Sequence, residues 1–253
     1  MPPPFPTLPP PLSPPLPKTA TDGESVRLAG EKDLGTCELY PQQCLHNNNG
    51  RFLAVCGDGE YIVYTAGVLR NKCFGNAVDF GWSTFGTGDY AIRDQDLQVK
   101  IFKSFKDTGI SFRPSEVDAE CMWGGALIAV KSNDAVAFYD WDTGYYIQRI
   151  DVPAMPKAVY WNDAGDKVII ATREAFYHLT FNRDKMEETL SQGRSEDGVD
   201  EAFVLEAEIQ EVVRSGQWVG DCFLYVSKSG RLNYSVGGQT MTLSHLDRKM
   251  YML

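Results

Sequence analysis

The residues of this 253-residue chain that could do chemistry are three histidines, six cysteines and a few clusters of glycine and acid. His46 lies two residues after Cys44, too close along an extended chain for nucleophilic Cys–His pairing, which assembles from separate segments. His178 and His245 have no G-x-S-x-G elbow to serve. Gly81, Gly86 and Gly88 are spread through a polar connection with no helix after it, so Phe85-Gly86-Thr87-Gly88 reads as an ordinary loop rather than a phosphate cradle. Gly57-Asp58-Gly59-Glu60 lacks the alternating carboxylates of a calcium loop, because Tyr61 to Tyr64 is apolar, and it reads as a hairpin turn. Glu196, Asp197, Asp200 and Glu201 invite a metal or a basic partner, yet such runs usually solvate a loop, and that is the reading adopted. Cys37, Cys44, Cys56, Cys73, Cys121 and Cys222 contain no C-x-x-C pair and read as mostly buried thiols of a reducing cytosol. No catalytic, cofactor-binding or metal-binding residue is assigned, and the chain is read as non-enzymatic.

The elements that hold these residues are strands. Polar turns between runs rich in β-branched and aromatic residues fall near Asp58-Gly59, Asp94-Gln95, Asn133-Asp134, Arg173-Glu174 and Ser229-Gly230. The first three intervals, 36, 39 and 40 residues, match one four-stranded propeller blade each, and the last, 56, contains an insertion. The fold class is therefore all-β, an incomplete WD40-type β-propeller of about five blades. The clearest unit runs through Ala119–Met122, Leu127–Lys131, Ala135–Tyr139 and Tyr145–Arg149, with Tyr139-Asp140 in the place of the Trp-Asp dipeptide and Asp142-Thr143-Gly144 as a rim turn. Arg183–Leu190 is expected to be a short helix and Ser191–Glu201 an exposed loop. The final unit is expected to open at Phe203–Ile209, and a further strand to begin at Met250. His245 and Asp247 read as a buried bracing pair. The five tryptophans read as packing between blades, with Trp141, beside a turn, the exposed one.

Composition narrows the partners. The net charge of -10, with no basic stripe, argues against binding a phosphate backbone. No apolar run approaches the roughly 18 residues of a membrane span and no basic, apolar leader follows Met1, so the chain reads as soluble and not secreted. The first seventeen residues hold ten of the fourteen prolines, so residues 1–20 are expected to be a disordered proline-rich tail and 21–253 the partial propeller. The P-x-x-P spacings Pro6 to Pro9 and Pro11 to Pro14 are of the kind SH3 or WW domains dock.

Several strings in order carry a stronger signal. They include K-D-L-G-T-C-E-L-Y-P-Q from Lys32, H-N-N-N-G-R-F from His46, C-G-D-G-E-Y-I-V-Y-T-A from Cys56 and L-R-N-K-C-F-G from Leu69. V-K-I-F-K from Val99, A-F-Y-D-W-D from Ala137, G-Q-W-V-G-D-C-F from Gly216 and H-L-D-R-K-M-Y from His245 continue the series. With these the chain resembles the beta-prime subunit family of coatomer from Ala20 to Leu253, over the second propeller and its WD-associated region. The resemblance implies a structural part in the COPI vesicle coat, in intra-Golgi and retrograde Golgi-to-ER transport. It implies alpha and epsilon coatomer subunits as partners, and a cytoplasmic location peripheral to Golgi and COPI vesicle membranes. Family members read dilysine cargo on a first propeller, which has no counterpart here, so no cargo-binding residue is carried over. Five blades of an expected seven leave open sheet edges, and an aggregation-prone monomer is expected. The competing reading is a generic WD scaffold or a non-functional truncated paralogue outside the coat.

Overall fold

The computed structural model describes residues 33–115, 119–193 and 195–252, so the proline-rich tail lies outside the described residues. Five four-stranded antiparallel sheets follow one another along the chain, each a meander of consecutive strands. Blade one is β1 Gln43–His46, β2 Phe52–Gly57, β3 Glu60–Thr65 and β4 Arg70–Asn76. Blade two is β5 Asp79–Trp82, β6 Tyr90–Arg93, β7 Val99–Lys103 and β8 Lys106–Phe112. Blade three is β9 Cys121–Trp123, β10 Ile128–Lys131, β11 Ala135–Tyr139 and β12 Tyr146–Asp151. Blade four is β13 Pro156–Trp161, β14 Lys167–Thr172, β15 Phe176–Phe181 and β16 Phe203–Ile209, with helix α1 Arg183–Gln192 between its last two strands. Blade five is β17 Val213–Val219, β18 Cys222–Ser227, β19 Arg231–Val236 and β20 Gln239–His245.

Burial explains the sequence pattern. Middle strands are covered on both faces and are unbroken apolar runs, as in Ile128-Ala129-Val130 and Val168-Ile169-Ile170. Outer strands such as β4 and β8 are largely exposed and polar. The tight β2–β3 hairpin turns on Asp58 and Gly59 at φ 56° and 81°, the left-handed pair of a type I′ turn, which confirms the turn reading of that segment.

Four apolar clusters fill the four interfaces between successive blades. Tyr61 and Val63 meet Phe80 and Tyr90; Val99 and Ile101 meet Ile128 and Val130; Phe138 and Ile147 meet Val168 and Phe181; Ile169 and Phe176 meet Phe223 and Tyr225. The outer face of blade one, Val55, Ile62 and Tyr64, is covered by the incoming chain at Cys37 and Leu39.

Several expectations are corrected. Phe203–Ile209 closes blade four, paired with β15, and Val213–Val219 opens blade five instead. The insertion therefore lies within blade four, and it is anchored. Met186, Val199 and Ala202 are buried, and Val199 N donates to Ile147 O of β12 at 2.7 Å, while Glu196, Asp197, Asp200 and Glu201 stay exposed. The helix forms as expected and runs two residues further, to Gln192, with Asn182 capping it by accepting from Lys185 N at 3.0 Å. Met250–Met252 is not a strand; it doubles back to blade five, where Met252 N donates to Ser215 Oγ at 2.8 Å. His245 is exposed on β20, not a buried brace with Asp247, because the last strand of a blade has no neighbour over it. Trp141 is buried, its indole N–H donating to Gly125 O at 3.0 Å. Of the six cysteines only Cys56 is fully buried; the other five are partly covered, Cys37 in the entering segment, Cys44, Cys73 and Cys121 on innermost or outermost strands, and Cys222 at the start of β18.

Candidate interaction site: the axial groove and its rim

The innermost strands of neighbouring blades approach one another closely. Gly81 on β5 and Gly124 after β9 meet backbone to backbone: a β-carbon on Gly124 would fall 2.0 Å from Trp82 O, and one on Gly81 would fall 2.4 Å from Gly124 N. Glycine is required at both positions because the chains touch. The parallel bridge between Ser83 and Gly125 extends this contact.

Tryptophans then brace two of the inner strands, β5 and β17, to the blade before them. Trp82 Nε1 donates to Leu45 O at 2.8 Å, linking blade two to blade one. Trp218 Nε1 donates to Tyr160 O at 3.0 Å, linking blade five to blade four. The inter-blade packing expected of the tryptophans is thus found.

Between the C-terminal ends of the five inner strands lies a groove of about 340 Å³, each blade contributing to its wall through Leu45, Trp82, Trp123, Trp161 and Trp218. Asn48, Thr84, Asp163 and Gln217 stand at its edge. Its wall is mainly aromatic, with the Asp163 carboxylate at the edge. His46 forms part of it; burial holds this imidazole below its usual pKa, and its buried Nδ1 has no hydrogen-bond partner.

The rim is built by the β5–β6 loop. Asn47 Nδ2 donates to Thr87 O at 3.0 Å and Asn48 Nδ2 to Thr84 O, fastening the loop to blade one. Phe85 reaches blade four, where its ring covers Gly165 and the Arg183 guanidinium lies 4.7 Å above its centre. Within the same loop the Asp89 carboxylate sits against Gly86 and accepts from Ser104 N at 2.8 Å. A carboxylate fills the hollow that a phosphate would need, so this glycine-rich loop is not an anion cradle.

Deeper polar groups serve cohesion. The buried Arg93 and Asp79 form an ion pair at 2.5 Å within blade two, and Arg93 also donates to Glu120 O at 2.8 Å, ahead of blade three. Burial raises the Asp79 pKa, and Arg93 opposes that rise. Asp140 replaces the Asp of the WD dipeptide: its Oδ2 accepts from Asp142 N at 3.0 Å, Thr143 N at 2.9 Å and Thr143 Oγ1 at 2.9 Å, fixing the rim turn. His46, His178 and His245 lie on blades one, four and five, and no group of three potential metal ligands occurs among the described residues. The Gly81–Gly124 contact and the carbonyl partners of the Trp82 and Trp218 indoles escaped sequence reasoning, although glycine next to tryptophan on β5 and at the end of β9 was a readable sign.

The arrangement defines a class: an arc of WD40-type propeller blades joined by aromatic braces. Solved structures agree on the fold. A chain of the mitotic checkpoint complex superposes with a TM-score of 0.58 at 12% identity, over 85% of this chain and 67% of that one. Hsv2 of Kluyveromyces lactis gives 0.54 at 10% identity, over 81% and 70%. Residues 16–253 match the family described as the COPA/B second beta-propeller. Coatomer subunit beta' of Homo sapiens is 51% identical over 92% of the chain, as is coatomer subunit beta'-2 of Oryza sativa. The chain belongs to the coatomer COPA/B second-propeller family. It spans about a quarter of the length of these relatives.

Proposed function

We propose that the chain is a non-enzymatic structural part of the COPI coat, a rigid arc whose rims contact other coat subunits in intra-Golgi and Golgi-to-ER transport. The observation that carries this is the 51% identity to coatomer subunit beta' along nearly the whole arc. The site chemistry supports it: the indole N–H groups of Trp82 and Trp218 are spent on bracing, and the groove wall holds no converging acid, base and nucleophile among the described residues. Alpha and epsilon coatomer subunits are the partners, and Golgi and COPI membranes are the location, reached through the coat. Among the described residues no helix is long and apolar enough to cross a membrane. The P-x-x-P run remains a candidate ligand for an SH3 or WW domain.

Imaging the fluorescently tagged full chain tests this reading. Punctate juxtanuclear signal coincident with coatomer is expected; diffuse signal that never overlaps coatomer would exclude it.

A further inference from the structure

The axial groove has the surface that proline-rich peptides use. Polyproline II segments dock on aromatic-lined grooves because their backbone is already ordered, so little conformational entropy is lost on binding. Here Trp123, Tyr160 and Trp161 are partly exposed on the wall. Trp82 and Trp218 are largely buried in the wall behind them, with their N–H groups tied to the preceding blade. At the edge the exposed Gln217 amide can donate to a peptide carbonyl. The volume of about 340 Å³ falls in the range of ligand-sized sites.

The chain carries a matching segment. Residues 1–17 hold ten prolines and no charged side chain, and so suit a mainly aromatic wall. The entering chain also points the right way. Tyr40 and Gln42 lie beside Gly57 and Cys56, at the foot of blade one, whereas Cys37 packs on the Val55, Ile62 and Tyr64 cluster and Glu38 N donates to the hydroxyl of Tyr64, a residue paired through Leu53 with His46. Traced backwards, the chain leaves blade one at the end where the groove opens. The fifteen residues Lys18–Lys32 reach about 20 Å as a coil and about 50 Å extended, enough to cross the arc.

We propose that the wide end of the axial groove is a polyproline II site occupied by this chain's own Pro2–Pro17 segment. Tethering holds the segment at millimolar effective concentration, so even weak intrinsic affinity fills the site.

The test is the tryptophan indole N–H spectrum of the full 253-residue chain, compared with a Pro9→Asp, Pro10→Asp, Pro11→Asp variant. The resonances of Trp82, Trp123, Trp161 and Trp218 are expected to shift while that of Trp141, outside the groove, stays in place. A synthetic peptide of residues 1–17 added to the variant should restore the shifts, and Gln217→Arg should abolish the restoration. Identical spectra and no response to the peptide would overturn the proposal, as would shifts that track concentration-dependent dimerisation, which assign the groove to a second copy. An independent readout replaces Phe5 with p-benzoyl-phenylalanine in the otherwise native chain. Photolysis should crosslink it within one molecule to peptides containing Trp123 or Trp161, and crosslinks confined to other surfaces would contradict the assignment.

Discussion

His178 Nε2 on blade four lies 2.9 Å from Ser235 Oγ on blade five, a buried hydrogen bond across the last blade interface. Phe176, Trp218 and Phe223 surround the imidazole, and burial lowers its pKa to about 4, with Glu206 raising and Lys167 further lowering it.

Acid should therefore loosen this interface. In the unfolded chain the histidine binds a proton below about 6.5, whereas the folded chain resists protonation until about 4, so stability rises with pH across that window and falls as pH drops through it. His46, also lowered by burial, acts in the same direction. Thermal melts from pH 7.5 to 4 should show a falling Tm, and His178→Gln should flatten much of that slope. An unchanged slope in the variant would remove His178 as its cause.

The inner-strand contact predicts a sharp contrast between two glycines. Gly124→Ala places a methyl 2.0 Å from Trp82 O and should cost on the order of 2 kcal/mol or more. Gly67→Ala meets nothing within 4 Å and should be nearly silent. Urea unfolding of both variants makes the comparison, and equal midpoints would contradict the account.

Breaking the Asp79–Arg93 pair leaves a buried carboxylate without its counterion. Arg93→Ala should lose about 3–5 kcal/mol, and Arg93→Lys should recover only part, because an ammonium cannot reach Asp79 and Glu120 O with the same fork. Denaturant titration reads both; full recovery by lysine would show that charge alone suffices.

Much of this was legible in the residues. Runs of β-branched and aromatic residues between polar turns located the middle strands, since these are apolar because they are buried on both faces. The outer strands β4 and β8 were missed because exposed strands are polar and leave no periodic signature. Phe203–Ile209 was placed in the wrong blade because pairing with β15 is a tertiary choice: the sequence shows a strand after an insertion, not which sheet it joins. His245 was favoured over His178 as the blade brace for a neighbouring Asp, while the true partner, Ser235, lies 57 positions away along the chain. The groove's wall could not be read at all, since it is assembled from the ends of five separate strands.

The edge of blade five predicts the solution behaviour of the 253-residue polypeptide. All seven residues of β20 are exposed, with Met241 at 60% and Leu243 at 55%, so unpaired backbone and apolar side chains sit together. Self-association is expected, and Met241→Lys with Leu243→Lys should suppress it in light scattering. A monodisperse parent chain at high concentration would refute this.

Coat membership is the central claim, and affinity purification of the tagged full chain from cells, followed by quantitative mass spectrometry, tests it most directly. The account predicts recovery of alpha and epsilon coatomer subunits in fixed proportion to the chain. Recovery of the 28.2 kDa chain with no coatomer subunit would contradict it and point to a WD scaffold working elsewhere.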